Sequence, residues 1–165
     1  MILSMTSERP PQGAFIAFLL AQVGAHAAKA YAERLAPLKL SPPHAGILRK
    51  LAHSSGMSQR ELATALGMHA SRLVGVVDEM EAMGLVARQG NQEDRRANAL
   101  ELTEKGRETL RVLGKVSSEH NEALGAALSS EERGQLAELL QRVADQQGLT
   151  RGVHPGYGRL GEPRK

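Results

Sequence analysis

The sequence predicts a mainly α-helical fold that contains one small β-hairpin. Aromatic residues make up only 2% of the chain and tryptophan is absent, so the core must be built from leucine, valine, alanine and methionine, a composition typical of helices. Apolar residues recur at spacings of three and four over most of the chain, as on the buried face of a helix. One stretch departs from that spacing, because Leu100 and Leu102 alternate with Ala99 and Glu101 and predict a strand with one buried face.

The 165 residues are enough for one domain with a sizeable core, or for a small domain joined to an oligomerisation element. The tail carries four basic residues and one acidic residue, and we expect it either to touch a nucleic acid or to keep the protein in solution. We expect five segments in all: a flexible N-terminus at 1–13, a first helix at 14–35, a central domain at 36–103, two C-terminal helices at 104–147 and a flexible basic tail at 148–165.

Several classes of protein are excluded by what the sequence lacks. Without cysteine there is no disulfide framework, thiolate metal site or thiol redox switch. No run of about 18 apolar residues is present, so we expect no membrane span. The N-terminus lacks the basic stretch of a signal peptide, and we expect a cytoplasmic protein. No Gly-x-Ser-x-Gly motif, phosphate-binding glycine loop or apolar carboxylate pair occurs, so we expect neither an enzyme nor a cofactor.

The first helix, at 14–35, is apolar over more than one face. Its large apolar side chains are Phe15, Ile16, Phe18, Leu19, Leu20 and Val23. Because a surface this wide exceeds what one domain covers, we expect it to contact a second subunit. The next helix begins at Ser41 and Pro42, which suit the N-cap and the first helical position. Its core residues are Ile47, Leu48 and Leu51.

Two short helices joined by a tight turn come next. Ser58 and Glu61 have the spacing of a capping box, in which each side chain accepts a hydrogen bond from the backbone of the other residue. Gly67 suits the left-handed residue that ends a helix. The second helix begins near His69, ends at Gly84 and has a buried stripe at Leu73, Val76, Val77 and Met80. This arrangement predicts a helix-turn-helix motif.

A two-stranded hairpin follows the helix-turn-helix motif. Its strands are residues 85–88 and 99–102, and the polar segment between them contains Arg95 and Arg96. A hairpin in this position is a wing, so the central domain is predicted to be a winged helix-turn-helix domain.

The two helices after the hairpin carry long apolar stripes. Thr103 caps the first helix, and Ser129 with Glu132 forms a second capping box at the start of the other. The stripes comprise Leu110, Leu113, Val116, His120, Leu124 and Leu128 on the first helix, and Leu136, Leu139, Leu140 and Val143 on the second. Because the two stripes cannot be buried against each other alone, we expect both helices to pack with the first helix of the chain across a two-fold axis. We therefore expect a homodimer with a helical dimerisation region.

The hairpin sequence GLVARQGNQEDRRANALELT resembles the wing of the MarR family of transcriptional regulators. The family's Asp-x-Arg signature is matched by Asp94 and Arg96, and its closing Leu-Thr pair by Leu102 and Thr103. The order of elements over residues 15–149 also resembles this family, which dimerises through its terminal helices. The resemblance implies a homodimeric, ligand-responsive regulator, most often a repressor, that binds a near-palindromic operator in double-stranded DNA.

The outer face of the second motif helix and the wing hold the candidate DNA contacts. Small side chains near the start of that helix allow close approach to a major groove, where Arg72 is able to bridge O6 and N7 of guanine. Gln59 and Arg60 suit either phosphate contact or a plain capping role. The resemblance implies that a wing arginine enters the minor groove while Asp94 holds the wing in shape. The full candidate set is Gln59, Arg60, Ala70, Ser71, Arg72, Val74, Gly75, Arg88, Arg95 and Arg96.

Bulk charge gives little support to DNA binding. The net charge is +3, but residues 56–102 contain five basic and seven acidic residues. Val74 and Gly75 stand where threonine and a basic residue are frequent in the MarR family, which favours thymine-methyl contact or shape readout. The alternative function is therefore a degenerate winged-helix scaffold that has lost specific operator binding and acts through protein contacts.

The resemblance also implies a small phenolic or anionic amphipathic ligand in the crevice between the dimerisation helices and the winged domain. His26, His44 and Arg49 are the candidates for binding its anionic group. The histidines, with His53 and His120, raise the question of zinc. No His-x-x-x-His pair occurs and carboxylates near them are sparse, so we expect no metal site.

Overall fold

The computed structural model describes residues 15–90, residues 99–154 and Tyr157. Within these ranges the elements are α1 (Ile16–Leu35), α2 (Pro42–His53), β1 (Met57–Ser58), α3 (Gln59–Leu66), α4 (Ala70–Ala82), β2 (Val86–Gln89), β3 (Ala99–Leu102), α5 (Glu104–Leu124) and α6 (Ser130–Gln146), with a 3-10 turn at Ala36–Leu38. The prediction of a mainly α fold with a small β element is confirmed. None of the helices in the described ranges is both long and apolar enough to cross a membrane.

Side-chain caps start the helices where the sequence predicts them. Glu61 N–H donates to Ser58 Oγ at 3.2 Å, and Ser58 N–H donates to Glu61 Oε2 at 2.8 Å. Ser129 and Glu132 repeat this geometry at the start of α6. Gly67 has a φ of 60° and ends α3, so the turn of the helix-turn-helix motif uses a left-handed residue that glycine adopts without strain.

The sheet has three strands, whereas the sequence predicts a two-stranded hairpin. β2 and β1 pair antiparallel with the two edges of β3, with Val86 opposite Leu102 and Met57 opposite Leu100. β1 is only two residues long, too short for an alternating pattern. It forms because the backbone that leads into α3 runs beside β3. Leu100 and Leu102 are buried, as predicted.

The hydrophobic core lies inside the winged domain, between α2, α3, α4 and the sheet. Its fully buried large side chains are Leu35, Ile47, Leu48, Leu51, Leu62, Leu73, Val77, Met80, Leu85, Val86, Leu100 and Leu113. Leu35 at the end of α1 and Leu113 in α5 belong to this core, which anchors both helices to the domain. By contrast, α6 has no buried residue and α1 has only Leu35, so both predicted stripes are open in a single chain.

The helix α5 starts immediately after the sheet. Thr103 Oγ1 accepts from Gly106 N–H at 3.0 Å, which confirms the predicted cap, and its hydroxyl donates to the Gly84 carbonyl at 2.6 Å. A β-carbon on Gly106 would overlap the carbonyl oxygen of Leu85. Glycine at this position therefore lets α5 begin in direct contact with the turn that follows α4.

The tail residue Tyr157 is part of the core. Its side chain is 5% exposed, and its hydroxyl donates to the Pro42 carbonyl at 3.2 Å. The predicted flexible tail at 148–165 is therefore wrong at Tyr157. The ring fits because Gly46, in the middle of α2, has no side chain.

Candidate nucleic-acid interface

The outer face of α4 is exposed and nearly free of bulk. Ala70, Ser71, Val74 and Gly75 are all exposed, on the side opposite the buried stripe. A β-carbon added to Gly75 would meet no atom within 4 Å, so packing within this chain does not require a glycine there. Since glycine in a helix interior costs about 1 kcal/mol relative to alanine, its small size suits close approach by another molecule.

The two residues that begin α3 differ in exposure. Gln59 is only 5% exposed, so the predicted phosphate contact by this side chain is wrong. Arg60 is exposed, as a phosphate contact requires. Successive positions of a helix point about 100° apart, which places one of the pair inward and leaves the other outward. Arg72 is half-buried on the flank of α4.

Arg88 is a structural residue and not an exposed DNA contact. Its side chain is 5% exposed, and its Nη2 lies 2.5 Å from Asp78 Oδ1 while Nη1 pairs with Glu81. Both carboxylates lie on α4, so the guanidinium ties β2 to α4. The predicted DNA contact for Arg88 is therefore wrong. The single positive charge of Arg88 offsets one of the two negative charges of these carboxylates.

The wing residues Asp94, Arg95 and Arg96 lie outside the described residues. Gln89 and Ala99 flank the segment that contains them, and these two residues pair with each other at the end of β2 and β3. Their predicted roles stay predictions.

His44 is buried and links two helices of the winged domain. Ser41 N–H donates to its Nδ1 at 3.0 Å, which requires the tautomer that carries its proton on Nε2. Nε2 lies 3.4 Å from Glu79 Oε2 on α4. Burial lowers the pKa of His44, and the Glu79 carboxylate opposes that shift only in part. The structure therefore contradicts the predicted role of His44 in binding an anion.

Arg49 joins α2 to α1 and α5. Its Nη2 donates to Tyr31 Oη at 2.8 Å and also to Ser117 Oγ. The guanidinium carbon lies 5.8 Å from the centre of the Tyr31 ring, and that ring lies 5.3 Å from the ring of His120.

A groove of about 520 Å³ lies between α1 and α5, and His26 lines it together with Arg34 and His120. Burial, and then the charges of Arg34 and His26, lower the pKa of His120. The other lining residues are Gln22, Val23, Ala30, Ala123 and Leu124, so no carboxylate is part of the lining. One arginine and two hydrogen-bonding imidazoles over alanine, valine and leucine suit an anionic amphipathic molecule.

The structure thus separates the three predicted ligand residues and brings His26 together with two others. Arg34 was not among the predicted ligand residues. It stands eight residues after His26 and therefore lies on the same face of the helix, two turns later. No sequence signal places His120 against that face, because the contact joins two distant helices. Among the described residues, no group of three His, Cys, Asp or Glu side chains is arranged to hold a metal ion.

Comparison with known proteins gives the family. A MarR family model matches residues 38–97, which run from the end of the 3-10 turn into the wing. A protein of Thauera aromatica, named for transcriptional regulation of the hcr operon, is 33% identical over 111 residues, which is 67% of each chain.

Two solved structures add DNA-bound relatives. The transcriptional repressor CouR, bound to a 23-mer DNA duplex, is 30% identical with a TM-score of 0.68 over 78% of this chain and 92% of that chain. A MarR family protein of Mycobacterium tuberculosis in complex with DNA is 26% identical, also with a TM-score of 0.68, over 78% of this chain and 96% of that chain. Fold, family model and relatives agree, and the chain belongs to the MarR family of transcriptional regulators, with a winged helix-turn-helix fold.

Proposed function

We propose that the chain is a homodimeric, ligand-responsive repressor that binds a near-palindromic DNA operator. The observation that carries this proposal is the exposed face of α4, where Gly75 leaves open space that the packing of the chain does not need. Val74 beside it is 36% exposed and suits contact with a thymine methyl group. Two relatives with the same fold are bound to DNA in their structures. In the proposed complex, α4 lies in the major groove and a wing arginine lies in the adjacent minor groove.

Exposed apolar side chains on α1 and α6 support the homodimer. Phe18 is 62% exposed and Leu139 is 54% exposed, which is unusual for side chains of this size. The other exposed members are Phe15, which is the N-cap residue of α1, and Ile16, Leu19, Leu20, Val23, Leu136, Leu140 and Val143. A second copy of the chain, related by a two-fold axis, would cover both surfaces. We therefore assign α1, α5 and α6 to dimerisation and residues 36–103 to DNA binding.

The salt bridges of Arg88 do not remove the main argument for the scaffold alternative. That argument rests on the acidic excess of residues 56–102, and Arg88 is already one of the five basic residues in that count. Its single positive charge offsets only one of the two negative charges of Asp78 and Glu81. The alternative has a second supporting observation, since few hydrogen-bonding groups stand on the outer face of α4.

The groove between α1 and α5, and not the predicted crevice between the dimerisation helices and the winged domain, is the site that we propose for the effector. Its three basic side chains favour a small anionic amphipathic molecule, such as an aromatic carboxylate, with the carboxylate near Arg34 and His120. Binding relieves repression only if the ligand prefers the state that does not bind DNA, because equal affinity for both states shifts nothing.

Titration of the full chain on DNA from upstream of its own gene tests the proposal. We expect tighter binding to that duplex than to a scrambled one at two salt concentrations. Arg96→Ala should weaken binding to both duplexes and reduce the salt slope by about 1, whereas Arg72→Ala should relax preference at one base pair of each half-site. Equal, weak binding to the two duplexes would favour the scaffold. Light scattering that shows a folded monomer would refute the homodimer.

A further inference from the structure

Arg49 connects the winged domain to two long helices at one point. It stands on α2, and its two acceptors, the hydroxyl groups of Tyr31 and Ser117, stand on α1 and α5. The bond from Nη2 to Tyr31 Oη is 2.8 Å long, and the two hydroxyl oxygens lie 3.3 Å apart. We call these three side chains the Arg49 link.

The Arg49 link lies one helical turn beyond the last buried residue of each long helix. Leu35 is the only buried residue of α1, and Tyr31 precedes it by four positions. Leu113 is the last buried residue of α5, and Ser117 follows it by four positions and donates to its carbonyl at 2.8 Å. The fully buried packing that holds both helices to the winged domain therefore ends at this link.

The start of α5 is attached to the winged domain separately. Thr103 and Gly106 hold its first turn, and Lys105 Nζ donates to the Met83 carbonyl at 2.7 Å. Play of about 1 Å across a contact of one turn, about 5.4 Å, allows a tilt of about 10°. The same play at Ser117, about 21 Å along the helix from Thr103, allows a tilt of about 3°. The first turn thus limits the angle between α5 and the winged domain coarsely, and the Arg49 link limits it finely.

The bonds of the Arg49 link can open without disturbing the core. Arg49 is exposed, whereas Tyr31 and Ser117 are half-buried, and both acceptors are neutral hydroxyl groups. Within residues 15–90 and 99–154, no salt bridge involves this guanidinium. Exposed hydrogen bonds of this kind exchange with water at a small net cost, while Leu113 leaves the core only at a large one. The link is therefore the contact that opens first when the angle changes.

We propose that Arg49 is a positioning residue for DNA binding, and that its bonds to Tyr31 and Ser117 hold α1 and α5 at one angle to the winged domain. In the proposed homodimer this angle sets the separation between the two copies of α4. Loss of the link widens the range of separations, so fewer dimers are ready to enter two major grooves at once. The inference rests on the proposed homodimer and its DNA binding, and the measurements below separate the two.

Anisotropy titration of Arg49→Met on the upstream duplex tests the role of the guanidinium. Methionine keeps an apolar side chain and removes the donors. We expect binding about tenfold weaker than wild type, because only part of a looser population is competent to bind. The salt slope should stay the same, since no phosphate contact is lost. A fall in that slope of about one or more would assign Arg49 to a phosphate and overturn the positioning role.

The double variant Tyr31→Phe/Ser117→Ala removes both acceptors and leaves Arg49 in place. It should weaken binding as much as Arg49→Met does, and combining all three changes should weaken it no further, because the side chains act as one unit. Ser118→Ala is the matched control, since the Ser118 hydroxyl donates to Glu122 on its own helix, and it should bind like wild type. Fully additive losses, or a double variant that binds like wild type with the same oligomeric state in light scattering, would overturn the proposal.

Double electron–electron resonance measures the separation of the two copies of α4 without DNA. The chain has no cysteine, so Ala70→Cys places a single spin label at the exposed start of α4 in each protomer. With 13 residues α4 is about 20 Å long, and a tilt of about 10° about its end moves its start by about 3 Å. We expect one narrow distance distribution with the link intact and a distribution wider by about 3 Å or more with Arg49→Met.

The two measurements distinguish the failure of the link from the failure of the proposed function. A wild type that binds the upstream duplex no better than a scrambled one would refute operator binding, and the distance distributions would then decide the role of the link. A wild type that binds specifically, with a distance distribution that Arg49→Met leaves unchanged, would overturn the positioning role alone.

Discussion

Replacing Gly75 by alanine separates the stability of α4 from its proposed contact with DNA. The residue is exposed in the middle of the helix, and an added β-carbon would meet no atom within 4 Å, so no clash arises within the chain. Alanine is more favourable than glycine in a helix interior by about 0.5–1 kcal/mol. We therefore expect the free energy of unfolding to rise by that amount, which corresponds to about 1–4 °C in melting temperature for a chain of this size.

DNA affinity should change in the opposite direction. The new methyl group would project from the face of α4 that we place in the major groove, next to Val74 and one turn after Ser71. Loss of one close contact worth about 1.4 kcal/mol lowers affinity about tenfold. A two-fold dimer meets this loss in both half-sites, so the expected decrease for an operator is about a hundredfold.

Denaturant unfolding and fluorescence anisotropy on a labelled upstream duplex measure the two quantities. Gly114→Ala is the matched control, because Gly114 is also an exposed helical glycine with open space around it but lies on α5. It should raise stability and, where light scattering shows the same oligomeric state, leave DNA affinity unchanged. If Gly75→Ala raises stability while the anisotropy titration stays the same, the outer face of α4 is not pressed against DNA and the reasoning fails.

Three further variants test the buried polar contacts and the exposed apolar surface. Arg88→Ala should lower the free energy of unfolding by about 2 kcal/mol, because Asp78 and Glu81 lose their shared cation; a fall of about one in the salt slope of DNA binding would instead indicate a phosphate contact. The pKa of His44 is 6.5 in the unfolded chain and lower in the folded chain. As the pH falls below 6.5, the unfolded chain binds a proton at His44 that the folded chain does not bind, so the melting temperature should fall. His44→Gln keeps a hydrogen-bond acceptor for the cap and should flatten that dependence, and an equally steep curve would assign the effect to another group. Leu139→Glu should convert the proposed dimer to a monomer in light scattering, and an unchanged dimer would exclude α6 from the interface.

Local rules were sufficient to predict most of the fold. The boxes at Ser58 and Ser129 and the cap at Thr103 depend on residues three positions apart, which are visible in sequence. The box at Ser41 was only half predicted, because its third helical residue is His44 and not the usual acidic or amide residue.

The candidate site was harder to predict, because its exceptions depend on tertiary contacts. Arg88 is an arginine next to a wing by sequence, and only the packing of β2 against α4 reveals its two carboxylate partners. Tyr157 stands in a segment rich in glycine and proline, whose composition predicts flexibility. Its burial depends on Gly46, more than 100 residues earlier in the chain.

Because α5 begins directly after the sheet, a tilt of α5 is transmitted to the winged domain. Thr103 and Gly106 hold its first turn against the turn after α4, so the two cannot tilt independently. With 21 residues, α5 is about 31 Å long, and a tilt of about 10° about Thr103 displaces its far end by about 5 Å. In the proposed homodimer the coupling also works in the other direction. A small shift where the α5 helices of the two protomers meet would change the orientation of both copies of α4. Successive major grooves lie about 34 Å apart. A displacement of about 5 Å would therefore decide whether both copies of α4 enter these grooves at the same time.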